Sequence, residues 1–167
     1  MLTNTPAHLP LLAESPDDFD FFIGAWVVQH RRLKQRLVGS QEWELFAGRN
    51  VCHKILGGYG NVDDNLLELP EGTYRAVTLR AFDPTTRSWS IWWLDGRAAG
   101  VLDVPVVGTF ANGVGTFIAK DTFKGQPIMV RFTWLNEVAD HPRWEQAFSP
   151  DGGESWETNW IMEFARL

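Results

Sequence analysis

One cysteine in 167 residues, Cys52, rules out an internal disulfide. None is needed, since a domain this size buries roughly 70% of the surface its unfolded chain exposes. Long hydrophobic runs are missing as well: the longest apolar stretches fall far short of the roughly 20 residues that cross a bilayer as a helix. Met1 to Leu12 has neither a basic start nor a continuous apolar run, so no secretory leader is expected and a reducing cytoplasm is the default setting. Nothing points to a membrane surface. Positive charge is scarce, with 15 Lys and Arg against 21 Asp and Glu and a formal net charge of −6. The densest basic stretch, His30-Arg31-Arg32-Leu33-Lys34-Gln35-Arg36, reads as a solvated strand end and supplies no coherent basic face, which argues against nucleic acid as a partner.

Catalytic and cofactor signatures are equally sparse. There is no Gly-x-Ser-x-Gly, no Ser-x-x-Lys and no phosphate-cradling glycine loop ending in Lys. The four histidines, His8, His30, His53 and His141, form no His-x-His or His-x-x-x-His pair, so no metal site is written locally and no cofactor is expected. Cys52 sits in an apolar strand and reads as an inert thiol. Asn61-Val62-Asp63-Asp64-Asn65 starts like a calcium loop, but Leu66 and Gly72 stand where that loop needs Gly and Glu. It reads instead as a polar hairpin loop, or as part of a Gly57 to Asn65 loop folded over a cavity mouth.

What the chain does have is period-two alternation and tryptophan. Residues 1–16, with three prolines, read as an irregular arm ahead of a single domain over 17–167. Ser15-Pro16-Asp17-Asp18 carries helix-start chemistry, and a short helix with Phe19, Phe22 and Ile23 on its apolar side should follow, ending at Gly24. Beyond it, turn residues separate short alternating segments, the spacing of a sandwich or barrel and not of βαβ units. About nine to ten strands are expected from eleven alternating spans, near 25–38, 42–47, 50–57, 65–69, 73–82, 88–95, 105–110, 114–121, 127–136, 143–149 and 155–165. Parity puts Trp89, Ile91 and Trp93 on one inward face, Val130, Phe132 and Trp134 on another, and Trp144, Gln146 and Phe148 on a third. The last strand should turn Trp156, Thr158, Trp160, Met162, Phe164 and Arg166 inward. Nine tryptophans exceed what a tightly packed small core readily holds, because each buried indole N–H wants a partner. A ligand chamber is a natural use for such rings. Filling the barrel ends is the other.

Gly24-Ala25-Trp26 after a short apolar segment, with Arg166 near the end of the last strand, resembles the lipocalin and wider calycin barrels. The resemblance implies an antiparallel up-and-down barrel in which Trp26 closes one end and Arg166 lies across its ring. Leu56-Gly57-Gly58-Tyr59-Gly60-Asn61 and Trp156-Glu157-Thr158-Asn159-Trp160 look like a bacterial lipocalin-like family labelled as of unknown function. Ser149-Pro150-Asp151-Gly152-Gly153-Glu154-Ser155-Trp156 is similar to the sialidase Asp-box with serine for threonine. Its chemistry is that of a hairpin turn, and one copy cannot make a propeller.

The leading expectation is a binding protein for a small apolar or amphipathic ligand, with a carboxylate among the groups it could bear. Trp93, Trp134 and Trp160 would be chamber walls; His30, Arg32, Gln146 and Thr158 would be the orienting polar groups. His30 and Arg32 share the face of Trp26 and Val28, so both enter the chamber unless a bulge near Gln29 swaps faces. An unpaired buried guanidinium would then favour acids over amines. Two alternatives stay open. One is an enzyme acting on an apolar metabolite (isomerase, cyclase or hydrolase), with His30 as acid/base and Arg32 or Asp95 as its partner. The other is an interaction module whose exposed aromatic patch meets another protein or a second copy, giving a homodimer.

Overall fold

The structure, a computed structural model, describes residues 9–167, and His8 of the sequence reading lies outside them. The ten strands are β1 (Gly24–Leu33), β2 (Trp43–Ile55), β3 (Gly60–Leu69), β4 (Gly72–Asp83), β5 (Ser88–Asp95), β6 (Val106–Ala111), β7 (Val114–Phe123), β8 (Gln126–Leu135), β9 (Arg143–Ser149) and β10 (Glu157–Arg166). Each pairs antiparallel with its sequence neighbours, and β1 also pairs with β10, so the sheet closes into a barrel with no free edge. Asn112 and Gly113 join β6 to β7 with φ of 52° and 79°, the turn whose twist matches that of the strands it connects.

Three expectations change. The strands expected at 42–47 and 50–57 are one strand, β2. Gly48 between them marks a close approach and not a turn: a Cβ there would stand 2.6 Å from His30 Nε2 and 2.7 Å from the Leu66 carbonyl oxygen. The polar segment expected as a loop over the mouth is the first half of β3, paired residue by residue with β2 and β4. The remaining glycine turn, Leu56–Gly58, lies at the opposite end of the barrel, against Leu12 and Ser15. Finally, the helix-start residues open only a 3-10 turn, Asp20–Phe22, whose cap Phe19 makes no side-chain capping bond. β1 begins at Gly24, directly after Ile23 closes this turn on the Asp20 carbonyl.

That short turn stops one end of the barrel. Phe19 and Phe22 are 2% and 0% exposed. Phe22 stacks on Trp26 at 5.5 Å and meets Trp134 at 4.6 Å, while Phe19 packs edge-on against Trp89 and Phe110. The Trp26 indole N–H donates to the Phe22 carbonyl at 2.9 Å, which satisfies the one polar atom of a fully buried ring. Arg166 lies across the outside of that ring, 4.1 Å from its centroid. It donates to the carbonyls of Ile23 and Phe21 at 3.0 Å each and pairs with Asp140 at 2.6 Å. Gly24 is required beneath it: its φ is +131°, and a Cβ would stand 2.6 Å from the guanidinium.

β10 breaks its own alternation. The pairing with β9 shifts between Thr158 and Trp160, so Asn159 is an extra residue, fully buried. Trp160, Met162 and Phe164 turn inward as parity predicts, but Thr158 pairs with Ala147, on the outward face of β9. Trp156 is outside too, in the β9–β10 turn, where Arg131 sits 4.3 Å above its ring and its N–H donates to Gly153. In that turn Asp151 accepts from the Ser155 backbone at 2.9 Å, and Ser149 Oγ accepts from Gly153 N at 2.8 Å. The Ser155 hydroxyl, then the Ser155 backbone N–H and the Ser149 hydroxyl, donate to the Asp151 carboxylate and hold its pKa at about 2.

The wall is thinnest between β5 and β6. Only Trp89, Ser90 and Ile91 of β5 have partners on β6, and the chain leaves the sheet between Asp95 and Val106. Beyond Ile91 the amide of Asp103 reaches back to the Trp93 carbonyl at 3.0 Å.

Candidate functional site

Two kinds of side chain divide the interior. Strands β2, β3 and β4 send in polar groups: Asn50, Asn61, Asp63, Asn65, Thr78 and Arg80 are all at most 6% exposed. Arg80 donates from one terminal nitrogen to Asp63 at 2.7 Å and to Asn61 at 2.8 Å. Asn65 donates to Asp63 and accepts from Asn50 Nδ2 at 2.8 Å. An ion pair taken out of water is tolerable only when its remaining lone pairs and protons are met, and this network meets most of them. The Arg80 guanidinium also lies 5.2 Å from the Phe19 and Phe22 rings and 5.4 Å from Trp134, directly beneath the plug. Cys52 borders the cluster, its Sγ 3.7 Å from Asn61 Oδ1. Burial pushes its thiol up to about 12, so it carries no nucleophile at neutral pH.

Strands β5 and β8 to β10 send in aromatic and aliphatic groups. Where the two materials meet there is a small central cavity of about 20 Å³, lined by Asn50, Asp63, Asn65, Thr78 and Arg80 on one side and Trp93, Phe132, Trp134, Trp144 and Phe164 on the other. A cavity of that size has room for one water-sized group. Toward the open end a larger pocket of about 360 Å³ lies under the β5–β6 segment, between Val101–Val104 and the inner faces of β7, β8 and β9. Phe123, Ile128, Val130, Phe132 and Phe148 make most of its floor; Asp103, Asp121, Thr122 and Gln146 are its polar members. Ile91, Trp93 and Phe132 wall both cavities. The larger one exists because β5 outruns β6, which leaves its last residues facing a loop and not a strand.

Of the residues singled out in the sequence, Trp93 borders both cavities, Trp134 the deep one and Gln146 the outer one. Gln146 is held by Asn159, the bulge residue, to which its amide donates at 2.8 Å. His30, Arg32 and Trp160 face inward but border neither cavity, because they fill a third region solidly. No bulge interrupts β1 at Gln29. The His30 ring stacks on Phe46 at 4.5 Å, and its Nδ1 accepts from the Trp160 N–H at 3.2 Å, which leaves the ring proton on Nε2. Desolvation first, then the charge of Arg32, lowers its pKa to about 3. A ring so placed is a poor acid/base, and the enzyme alternative loses the group assigned to that role.

Arg32 lies between Phe46 and Trp160, 5.2 Å from each ring, and pairs with Glu44 through Nε at 2.8 Å and a terminal nitrogen at 2.7 Å. The expected need for an anionic ligand rested on an unpaired guanidinium, and Glu44 removes it. Thr158 faces out, for the reason given by the bulge. Asp95 is taken up by Arg97, which donates to it at 2.7 Å and 3.0 Å. The charged side chains that do line the outer pocket are acidic. The Asp103 carboxyl is raised, by loss of surrounding water and then by the neighbouring Asp121 and Asp95 charges.

The polar cluster was not anticipated. Its signal was present as Asn61-x-Asp63-x-Asn65, a period-two run, but oxygen side chains spaced in this way read as a loop when the inward face is assumed to be apolar. The aromatic patch proposed for an interaction module is not found: among the described residues the large hydrophobics left exposed are Leu, Val and Ile side chains.

No protein-family model matches the chain. No curated protein matches it. Among solved structures it is similar to the S-type phycobiliprotein lyase CPES of Guillardia theta, with a TM-score of 0.58 and 9% identity over 89% of this chain and 90% of that one. The likeness is one of fold, and it supports a lipocalin-like barrel.

Proposed function

We propose that this barrel binds a small apolar or amphipathic molecule in the outer pocket, with its body against Trp93, Phe123, Val130, Phe132 and Phe148. The observation that carries this is the pocket itself. At about 360 Å³ it falls in the range of small-molecule sites, and it is walled by apolar side chains with a few polar groups at its rim. A neutral body fits better than an anion, since Asp103 and Asp121 are the charged groups of the lining. The lyase neighbour shares the architecture and lends no reaction. A reducing cytoplasm, supported by the single buried cysteine, completes the proposal. No helix of the described residues is long and apolar enough to cross a membrane.

The test is titration with a neutral apolar fluorophore such as N-phenyl-1-naphthylamine, combined with native mass spectrometry of protein purified from its own host. One saturable site is expected, with energy transfer from tryptophan that drops in Trp93→Phe. The absence of both saturable binding and any co-purifying mass would overturn the reading.

A further inference from the structure

Four side-chain atoms among the described residues are buried without a hydrogen-bond partner: Arg36 Nε, Asn50 Oδ1, Arg80 Nε and Trp134 Nε1. Arg36 follows β1 toward the mouth. The other three belong to residues 2–3% exposed that line the same 20 Å³ central cavity. Buried polar groups are nearly always paired, and each one left alone carries a desolvation penalty. Three convergent exceptions around one small space therefore point to something that completes them.

The surrounding bonds fix what that must be. The Asn65 amide donates to Asp63, so its oxygen faces Asn50, and Asn50 must present its own N–H to that oxygen. Asn50 is thereby left with a free acceptor toward the cavity. Arg80 has one terminal nitrogen on Asp63 and Asn61, and its Nε–H is its buried donor without a partner. Trp134 offers an N–H only. The three orphaned atoms thus offer two donors and one acceptor, and a group with two lone pairs and one O–H completes them. A hydroxyl has that inventory. A carboxylate lacks the donor and would face the Asp63 charge; an ammonium lacks the lone pairs and would face the Arg80 charge.

Resting on the binding function proposed above, we propose that the deep cavity takes the hydroxyl tip of an elongated alcohol whose apolar body lies in the outer pocket. The tip passes between Trp93 and Phe132, the aromatic side chains that wall both spaces. The ligand class is then a long-chain or polycyclic alcohol, neither a fatty acid nor an amine.

Calorimetric titration of the unaltered protein with chain-matched probes, 1-nonanol, 1-methoxyoctane, nonanoate and nonylamine, tests this directly. The ether keeps the lone pairs and lacks the donor. The alcohol should bind three- to tenfold more tightly than the ether, and more tightly again than either ion, as the loss of one neutral buried hydrogen bond implies. Trp134→Phe keeps one aromatic ring of smaller size, removes one donor and should weaken the alcohol severalfold while leaving the ether less affected. Equal affinities for alcohol and ether mean that the cavity holds only a buried water; they overturn this inference and leave the outer-pocket function standing. Failure of all four probes to bind overturns this inference, and the outer-pocket function then stands or falls by the fluorophore titration.

Discussion

The two ends of the barrel bury their aromatic rings in different ways. At the closed end Phe19, Phe22, Trp26 and Trp134 touch one another, are at most 2% exposed, and have the guanidiniums of Arg166 and Arg80 laid against them from outside and inside. At the mouth Trp93, Phe123 and Phe132 are only partly buried, and the segment over them carries Val101, Leu102 and Val104 at 50–66% exposure. Inside the barrel, one end is filled by its rings down to a cavity of about 20 Å³, and the other is left with about 360 Å³ unfilled. Close packing of large rings stabilises, whereas an unfilled apolar space costs contacts unless a ligand supplies them. The proposed function predicts from this difference that stability rests on one end and binding on the other.

The largest effect expected on that division is from Trp26→Ala. Removing a fully buried Trp should cost ~3–5 kcal/mol in urea unfolding, while affinity for the neutral fluorophore, measured below the melting range, stays within about twofold. Arg166→Ala should cost less, on the order of 1–2 kcal/mol, because its guanidinium is partly solvated. The two should be non-additive in a double-mutant cycle, since one lies on the other. Additive losses would show that the contact is incidental to the closure.

Next in size is a pH effect from the packed region around His30. Its pKa is about 3 in the folded protein against 6.5 when free, so the unfolded chain takes up a proton that the folded one refuses. Stability contributed by the neutral ring is therefore complete above about pH 6.5 and is lost as pH falls toward 3, amounting to ~3 kcal/mol between about pH 7 and 4. Asp83, Asp95 and Asp151 have lowered carboxyls, and their contributions fade only below the ordinary carboxylate range. Asp103, which is raised, acts with the opposite sign. The window from about 6.5 to 4.5 thus reports His30, and His30→Gln should flatten the dependence of the unfolding midpoint there. A slope that survives this substitution would move the titration elsewhere.

How far the sequence could be read follows the same division. The barrel and its packed end were legible because alternation and the Gly24-x-Trp26 pattern are local, and the residues involved sit where parity puts them. Four parts were not. The Asn159 bulge reverses parity for Thr158 and Trp156 without any mark in the sequence, since an extra residue in a strand looks like any other. The polar wall of β3 inverts the usual pattern, with Asn61, Asp63 and Asn65 in and Val62 and Leu66 out, and so imitates a loop. Arg32 was placed on the correct face, but its partner Glu44 comes from the neighbouring strand, and cross-strand register decides such pairs. The pocket itself depends on where β5 outruns β6, a length mismatch that composition does not encode.

A smaller effect is expected at the mouth. Leu102→Ser replaces a side chain that is 54% exposed and lines the outer pocket, so stability should move by no more than about 0.5 kcal/mol. Affinity for the neutral fluorophore should fall about threefold, as the loss of part of one apolar contact implies. A stability loss comparable to that of Trp26→Ala would erase the distinction between the two ends.

The smallest effect expected is also the sharpest test of where binding ends. Arg32→Met keeps most of the side-chain volume and removes the charge. If Arg32 oriented a ligand, the change would weaken an acidic probe by ten- to a hundredfold, the cost of a charged hydrogen bond. The structure gives the guanidinium a different occupation: it is sandwiched by Phe46 and Trp160 and held by Glu44, and it borders neither cavity. Affinities for nonanoate and for the neutral fluorophore should therefore change by less than about twofold. Stability should fall instead, because Glu44 is left half-buried without its cation. A double change, Arg32→Met with Glu44→Gln, should recover part of that loss, since it removes both charges together. A large change in acid affinity with stability intact would place Arg32 in the binding site after all and extend the ligand chamber across to β1.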